Sequence, residues 1–172
     1  MMTYRPLLAA LLLLTLSFSA AFASDPMKIG TYGKWEAYEF EEPGGGKVCY
    51  MMAKPDKDEG DYKKRGEIAA LITHRPAEGT KNVFSYMAGY SYKKGADVTL
   101  SVDGKKFTLF TQNDMAWAAD AAADTALAAT LQKGSTMVVK GVSGKGTKTT
   151  DTFSLKGSAK AYEAITKACG PL

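Results

Sequence analysis

The chain has 172 residues, of which 45% are hydrophobic and 23% are charged, and its formal net charge at pH 7 is +4. This length is typical of one domain with a genuine hydrophobic core, which buries roughly 70% of its unfolded surface. The whole chain contains one histidine and two cysteines. This composition excludes a zinc site built on several histidines and any framework of more than one disulfide.

The first residues of the chain are typical of a secretory signal peptide. Arg5 supplies a positive charge, residues 7–18 are apolar apart from two hydroxyl residues, and residues 21–23 form a small-x-small cleavage site. Such a segment is too short and wrongly flanked for a stable transmembrane helix. We therefore predict that residues 1–23 are a signal peptide that is removed on export.

Export decides where the mature chain works and which partners it meets. We expect residues 24–172 to form a single domain in the periplasm, with outer-membrane association or release from the cell as the alternatives. No second long apolar stretch follows the signal peptide, so no transmembrane segment is expected after cleavage. Nucleic acid is not expected as a partner of an exported chain, and no sequence signal sets the oligomeric state.

Alternation of apolar and polar residues predicts the strands in the first half of the domain. The predicted strands cover residues 34–40, 48–53, 68–73 and 83–90. The third is apolar on both faces, which is typical of a central strand. Residues 54–67 are highly charged with balanced signs and lack apolar periodicity, so we predict a long exposed loop there.

Two hairpins follow in the second half. Apolar residues alternate over residues 98–102 and 107–109, on either side of an Asp-Gly turn at 103–104. The second hairpin pairs residues 136–142 with 147–155 around a glycine-rich turn. Together with the strands before them, these segments predict an all-β fold, a single-domain β-sandwich of roughly eight strands.

One or two short helices are expected beside these strands, including one at the C-terminus. Asp124 is predicted to cap an alanine-rich helix that Gly134 ends. Ser158 is predicted to cap the final helix, which ends at the Gly-Pro pair of residues 170–171.

The two cysteines, Cys49 and Cys169, are predicted to form one disulfide, as cysteine pairs in exported domains commonly do. Tyr162, Ile165 and Cys169 are spaced i, i+3, i+7, which places Cys169 on the buried face of the final helix. The strand residue Cys49 can meet it there. The bond would close a loop of about 120 residues, and the chain-entropy model gives roughly 4–5 kcal/mol of stabilisation for such a loop.

No catalytic, cofactor or metal motif is found in the sequence. His74 is the single histidine, so a Ser-His-Asp or Cys-His arrangement would have to use it. Its position at the end of an apolar strand favours a structural role, and no G-x-S-x-G motif is present. The glycine-rich residues 141–147 lack the lysine of a P-loop and join two strands. We therefore predict no catalytic residue, no cofactor, no metal and no enzymatic activity.

Lysine is in excess toward the C-terminus, on or beside the second hairpin and at the entrance to the final helix. The candidate binding face, called here the C-terminal lysine set, consists of Lys140, Lys145, Lys148, Lys156 and Lys160. If strand and helix pack side by side, these charges share one edge of the domain and can meet an anionic surface. The alternative is that they only keep strand and helix faces solvated.

Short motifs along the mature chain and one long run near its C-terminus match a known family pattern. They are Gly33-x-Trp35, Cys49-Tyr50, Ile72-Thr73-His74-Arg75-Pro76, Ala116-Trp117, the run Gly134-x-x-Met137-x-Val139-x-Gly141-x-Ser143-x-x-Gly146-Thr147, its continuation Asp151-x-Phe153-Ser154-Leu155-x-Gly157, and Cys169. With these residues the chain resembles the invasion-associated locus B family over nearly its whole mature length.

The resemblance implies an exported envelope protein of Gram-negative bacteria with a compact β-rich fold. The family has no established enzymatic activity, and Cys49 and Cys169 match its cysteine positions. Some members are linked to host-cell invasion by pathogens, and others occur in free-living species.

The function predicted from the sequence is that of a non-enzymatic exported cell-envelope protein. Its partner would be another envelope or host protein or an anionic surface polymer, with a link to host-cell invasion where the organism is a pathogen. The alternative is a periplasmic small-ligand carrier, which an apolar cavity of several hundred cubic ångströms between the sheets would favour. An enzyme would need His74 in a cleft, within reach of a carboxylate or a hydroxyl.

Overall fold

The computed structural model of the protein describes residues 24–171, so the predicted signal peptide at residues 1–23 lies outside the described residues. No helix in the described part is both long enough and apolar enough to cross a membrane. The described residues form eleven β-strands and two α-helices.

The elements have the following bounds. The strands are β1 (Met27–Tyr32), β2 (Trp35–Glu41), β3 (Lys47–Ala53), β4 (Lys57–Gly60), β5 (Ala69–Arg75), β6 (Thr80–Met87), β7 (Val98–Val102), β8 (Lys105–Gln112), β9 (Met115–Trp117), β10 (Thr136–Val142) and β11 (Lys148–Ser154). The helices are α1 (Ala121–Lys133) and α2 (Ser158–Cys169), and a 3-10 helix covers Pro76–Glu78.

The eleven strands form one continuous sheet in the order β1-β2-β3-β5-β6-β9-β8-β7-β10-β11-β4. All neighbouring strands in this order run antiparallel. Strand β8 joins the two halves of the sheet, because residues 105–109 pair with β7 and residues 110–112 pair with β9. The secondary structure of the described residues is therefore mostly β-strand, and the prediction of an all-β fold is confirmed.

Three strands exceed the roughly eight that alternation predicts. Strands β1 and β4 lie at the two edges of the sheet, and every residue of β4 is exposed. Strand β9 has only three residues. Edge strands with few buried side chains carry no hydrophobic alternation, and a three-residue strand is too short to show one, so sequence patterning misses all three.

The core lies between the two halves of the sheet. Trp35, Phe84, Tyr86 and Phe153 are among its largest fully buried side chains. The rings of Tyr86 on β6 and Phe153 on β11 meet edge to face with centroids 6.3 Å apart. The indole N–H of Trp35 on β2 donates to the carbonyl of Ser154 on β11 at 3.0 Å. These contacts join both halves of the sheet, which therefore face each other as in a sandwich.

Helix α1 begins one turn earlier than predicted. Asp120 is the N-cap, and its carboxylate accepts the Ala123 N–H at 2.8 Å. Asp124 is buried in the first turn, where its carboxylate accepts the Phe84 N–H of β6 at 2.8 Å. The prediction that Asp124 caps the helix is wrong, because a tertiary contact with the sheet occupies that carboxylate. The end of the helix at Gly134 is as predicted.

Helix α2 is capped by Gly157 rather than by Ser158. Gly157 has φ +98°, and a Cβ at this position would lie 2.0 Å from the carbonyl oxygen of Tyr32. Only glycine fits such a close approach of two backbones. Ser158 is the first helical residue, and its hydroxyl donates to the Leu131 carbonyl at the end of α1 at 2.8 Å. The predicted cap is therefore wrong by one residue.

A disulfide ties α2 to the sheet. It joins Cys49 on β3 to Cys169, the last residue of α2, with Cα atoms 5.8 Å apart. Ile165 on the same helix is fully buried, and Tyr162 packs against the core. The predicted apolar face of the final helix is therefore the one that meets the strands.

Candidate functional site

His74 belongs to the packing between β5 and α2. Its Nδ1 accepts the Asn82 backbone N–H at 3.1 Å, and its Nε2 lies 3.3 Å from the Thr166 hydroxyl oxygen. The Tyr162 ring packs edge-on against it with centroids 5.5 Å apart. Burial lowers the pKa of His74 and so favours the neutral ring. With both nitrogens engaged and 1% of its surface exposed, this histidine is placed to hold the helix on the sheet.

A surface cleft of about 750 Å³ opens where three chain segments meet. Residues 61–65 follow β4, residues 90–91 follow β6, and residues 143–149 form the turn and first strand residues of the β10–β11 hairpin. The cleft lies among these surface segments and not between the inner faces of the sheet. Its volume is within the range of small-molecule sites.

The three segments are bonded directly to one another. The Thr147 hydroxyl donates to the Asp61 carbonyl at 3.4 Å. The Gly144 N–H donates to the Ser91 carbonyl at 2.8 Å. The hairpin turn is thus linked to both of the other segments, and the shape of the cleft is set by the fold.

A buried ion pair anchors the first segment to the sheet. The Nη1 and Nη2 atoms of Arg65 donate to Oδ1 and Oδ2 of Asp151 on β11, both at 2.6 Å. The two side chains are 3% and 1% exposed. Arg65 Nε donates to the Ala88 carbonyl at 2.7 Å, and the Tyr86 hydroxyl donates to Asp151. Burial and the neighbouring carboxylate raise the pKa of Tyr86, so this phenol stays a donor.

This arrangement corrects the prediction of a long exposed loop at residues 54–67. Strand β4 occupies the middle of that segment and pairs with β11, and Arg65 is buried near its end. Asp151 is 86 positions away from Arg65 in sequence. The local charge pattern cannot show such a partner, which is why the segment looks like a solvated loop.

Two tyrosine rings flank the same guanidinium. The guanidinium carbon of Arg65 lies 5.3 Å from the ring centroid of Tyr62 and 5.0 Å from that of Tyr90. The Tyr90 hydroxyl is 2.6 Å from the Thr149 hydroxyl, and the Tyr62 hydroxyl donates to the Asp58 carboxylate. Each ring is therefore held by a cation–π contact and by its own hydroxyl.

Three further cations line the cleft without ion partners. Lys63, Lys64 and Lys145, called here the cleft lysines, are exposed. Within residues 24–171, no carboxylate oxygen lies within the 4.0 Å of an ion pair from their ammonium groups. Asp61 is the acidic residue of the lining. Since Arg65 is neutralised by its buried partner, the cleft carries a net positive charge.

The structure divides the C-terminal lysine set into two groups. Lys140 on β10 and Lys148 on β11 are exposed on the outer face of the hairpin, and Lys145 lies in its turn. Lys156 and Lys160 follow the other end of β11, about 20 Å away at roughly 3.3 Å per strand residue. Lys145 is the member of the set that lines the cleft. The binding role of the set stays a prediction.

Sequence reasoning misses the charged and aromatic residues that the first segment supplies to the cleft. Lys63, Lys64 and Arg65 form a run of three cations beside Tyr62. That run is a signal that could have been found, but averaging over residues 54–67 hides it among acidic neighbours.

A comparison with protein families gives one match. The family model described as "Invasion associated locus B (IalB) protein" matches residues 35–166, which is most of the chain and includes all three segments of the cleft. No curated protein and no solved structure matches the chain.

Proposed function

Because the chain belongs to the invasion associated locus B family, we propose that it is a non-enzymatic exported cell-envelope protein that binds another protein or an anionic surface polymer. The observation that carries this proposal is the cleft, where Lys63, Lys64 and Lys145 lack ion partners among the described residues. Charges left unpaired on a fixed surface attract an oppositely charged partner and speed its association.

The position of His74, the residue that an enzyme would need, supports a binding role. His74 is buried on the α2 side of the sheet with both nitrogens engaged. It does not belong to the residues that line the cleft. A general base must reach its substrate, so this histidine is poorly placed for chemistry in the cleft.

Family membership and the disulfide between Cys49 and Cys169 indicate an extracytoplasmic protein. We place it in the periplasm of a Gram-negative envelope, with outer-membrane association or release as alternatives. In a pathogen, its partner on the host side would be an anionic glycan or an acidic protein, since both match the charge of the cleft.

Photo-crosslinking in intact cells tests the proposal. A photoreactive residue replaces Lys145 in the cleft of the exported protein, and a second variant carries it at Lys156 as a control at the other end of the hairpin. We expect an adduct of high molecular mass from position 145. Its yield should fall as salt is added, because exposed charges are screened within about 8 Å at physiological ionic strength. The absence of adducts from both positions would contradict a macromolecular partner.

The cleft is not the apolar cavity between the sheets that was expected of a small-ligand carrier, but its volume suits a small molecule and supports this second candidate function. Such a carrier would release a small molecule on denaturation of the protein purified from the envelope. Mass spectrometry of the released fraction separates this function from polymer or protein binding, because a carrier yields a small molecule where the first proposal yields a large adduct.

A further inference from the structure

We propose that the cleft binds an acidic saccharide, with sugar rings against Tyr62 and Tyr90 and acidic substituents paired with the cleft lysines. This inference rests on the proposed binding function and names its ligand class. It combines two features of the cleft, the tyrosine rings and the unpaired cations, which a purely electrostatic surface would not need together.

The aromatic side chains suit carbohydrate. One face of a sugar ring is a patch of C–H groups that packs on an aromatic ring, while its hydroxyls point to polar groups around it. The hydroxyls of Tyr62 and Tyr90 are already engaged with Asp58 and Thr149. Both tyrosines are half-buried and line the cleft. The Arg65 guanidinium already covers part of each ring, so a sugar would pack on the ring surface that this contact leaves open.

The cations suit an acidic substituent. The ammonium groups of Lys63, Lys64 and Lys145 belong to two segments of the cleft, 61–65 and 143–149. A ligand that pairs with all three must lie across the cleft. A lysine ammonium group is a compact charge with three donors, so it can bind a carboxylate, a phosphate or a sulfate without the fixed fork geometry of arginine.

Polar side chains complete the set of groups that a sugar needs. The hydroxyl residues Ser91, Ser143 and Thr147 line the same cleft. The Thr147 hydroxyl already donates to the Asp61 carbonyl and the Ser143 hydroxyl already accepts the Thr147 N–H, so toward a ligand Thr147 can accept and Ser143 can donate. An acidic peptide shares the negative charge of the proposed ligand but has no ring of C–H groups. The contribution of Tyr62 therefore separates the two ligand classes.

An acidic saccharide has two sources around an exported protein. One is the phosphorylated core sugar of lipopolysaccharide, which is attached to lipid, and the other is a free or host-derived sulfated glycan. The binding chemistry is the same for both. Their probes are the lipid-free core oligosaccharide of rough lipopolysaccharide and a heparin hexasaccharide.

Calorimetric titration of the exported protein, purified with its disulfide intact, tests the inference. Both acidic probes are compared with neutral maltohexaose and with hexaglutamate. The cleft variant carries the three lysine changes of the cleft, and the control variant removes the same charge outside it. The cleft variant is K63Q/K64Q/K145Q, and the control variant is K106Q/K133Q/K167Q, whose exposed lysines lie outside both the cleft and the C-terminal lysine set.

We expect at least one acidic saccharide to bind, and either source satisfies the inference. The cleft variant should bind it about tenfold more weakly, since three exposed ion pairs are worth roughly 1.4 kcal/mol together. The control variant should stay within about twofold of wild type, because its lysines lie outside the cleft. Equal losses in both variants would overturn the assignment of the cleft.

A pair of substitutions at Tyr62 tests the role of the ring. Tyr62→Phe keeps the ring and should keep the affinity for the acidic saccharide, while Tyr62→Leu should lower it by about tenfold, as loss of an aromatic stacking surface does for other ring ligands. Circular dichroism and thermal unfolding establish that both variants fold. Equal affinities of the two variants, or equally tight binding of hexaglutamate, would overturn the saccharide in favour of an acidic protein.

The outcomes also separate this inference from the proposed function. If neither acidic saccharide binds but the photo-crosslink from position 145 persists, the saccharide inference fails and the binding function stands. If no probe binds and no adduct forms, both fail.

Discussion

Replacing Asp151 by alanine is expected to destabilise the domain by about 3–5 kcal/mol, because it leaves a guanidinium buried without its counter-charge. The lost contacts are the two 2.6 Å hydrogen bonds from Arg65 and the hydrogen bond from the Tyr86 hydroxyl. The side chain of Arg65 is 3% exposed in the folded state, so little water reaches the guanidinium to take the place of the carboxylate. Domains of this kind are stable by about 5–15 kcal/mol, so the expected loss is a large fraction of the total.

The chain offers a matched control for this substitution. Lys54 and Glu67 form an ion pair with the same 2.6 Å separation, but their side chains are 64% and 61% exposed. Glu67→Ala removes a carboxylate at equal distance and should cost less than about 1 kcal/mol. The two pairs differ in burial and in the number of hydrogen bonds, since Arg65 binds Asp151 at two points and Lys54 meets one oxygen of Glu67. Chemical denaturation monitored by tryptophan fluorescence measures both changes.

A double-mutant cycle identifies the cause of the loss. Arg65→Ala, Asp151→Ala and the double variant are compared, and the double variant should lose less free energy of unfolding than the sum of the single changes. An additive double variant, or a cost of Asp151→Ala no larger than that of Glu67→Ala, would refute the reasoning from burial.

The processed N-terminus, the disulfide and the buried histidine each give a further test. Mass spectrometry should show that the exported protein begins at Ser24. Protein in the envelope fraction that retains Met1 would contradict the predicted cleavage. Replacing Cys49 and Cys169 by serine should lower the free energy of unfolding by about 2–5 kcal/mol in denaturant titrations, and thiol labelling of the native unreduced protein would argue against the bond. Burial depresses the folded-state pKa of His74, so the stability tied to its neutral form is complete above an unfolded-state pKa of about 6.5 and is lost as the pH falls through the folded value. His74→Ala should cost about 1 kcal/mol and show a smaller loss between about pH 7 and pH 5 than wild type, and parallel pH profiles would count against this role.

Strands could be predicted where one face of the sheet is buried. Residues 98–102 alternate because β7 has one face on the core, and the Asp-Gly turn at 103–104 fixes its pairing with β8. The edge strands β1 and β4 lack this signal. The sequence shows the burial of a strand rather than its hydrogen bonding, and a strand that buries little is read as a loop.

The predictions of the two helix caps were wrong for a different reason. Asp120 and Asp124 are both suitable caps by residue type, and the contact that decides between them is the Phe84 N–H of β6. At α2 the close approach of Gly157 to Tyr32 determines which residue is the N-cap. Both decisions are made by residues far away in sequence, so local propensity could place the helices but not their first residues.

The cleft was the least predictable part, although Lys145 was a candidate. It is assembled from segments near residues 61–65, 90–91 and 143–149. Each segment taken alone looks like a solvated turn, because exposed polar residues between strands are the rule. These segments converge because of the sheet order, in which β4 pairs with β11 and not with β3 or β5, its neighbours in sequence.

The buried ion pair explains how a lysine-rich segment can hold a defined shape. Residues 61–65 contain no aliphatic side chain to anchor them, and Lys63 and Lys64 repel each other and Arg65. Asp151 compensates for this repulsion by taking one of the three charges out of water and binding it at two points. The two remaining lysines line the cleft, and the Tyr62 ring lies beside the guanidinium. Asp151, a residue that does not itself line the cleft, therefore couples the stability of the domain to the shape of the cleft, and so to the ligand binding proposed for it.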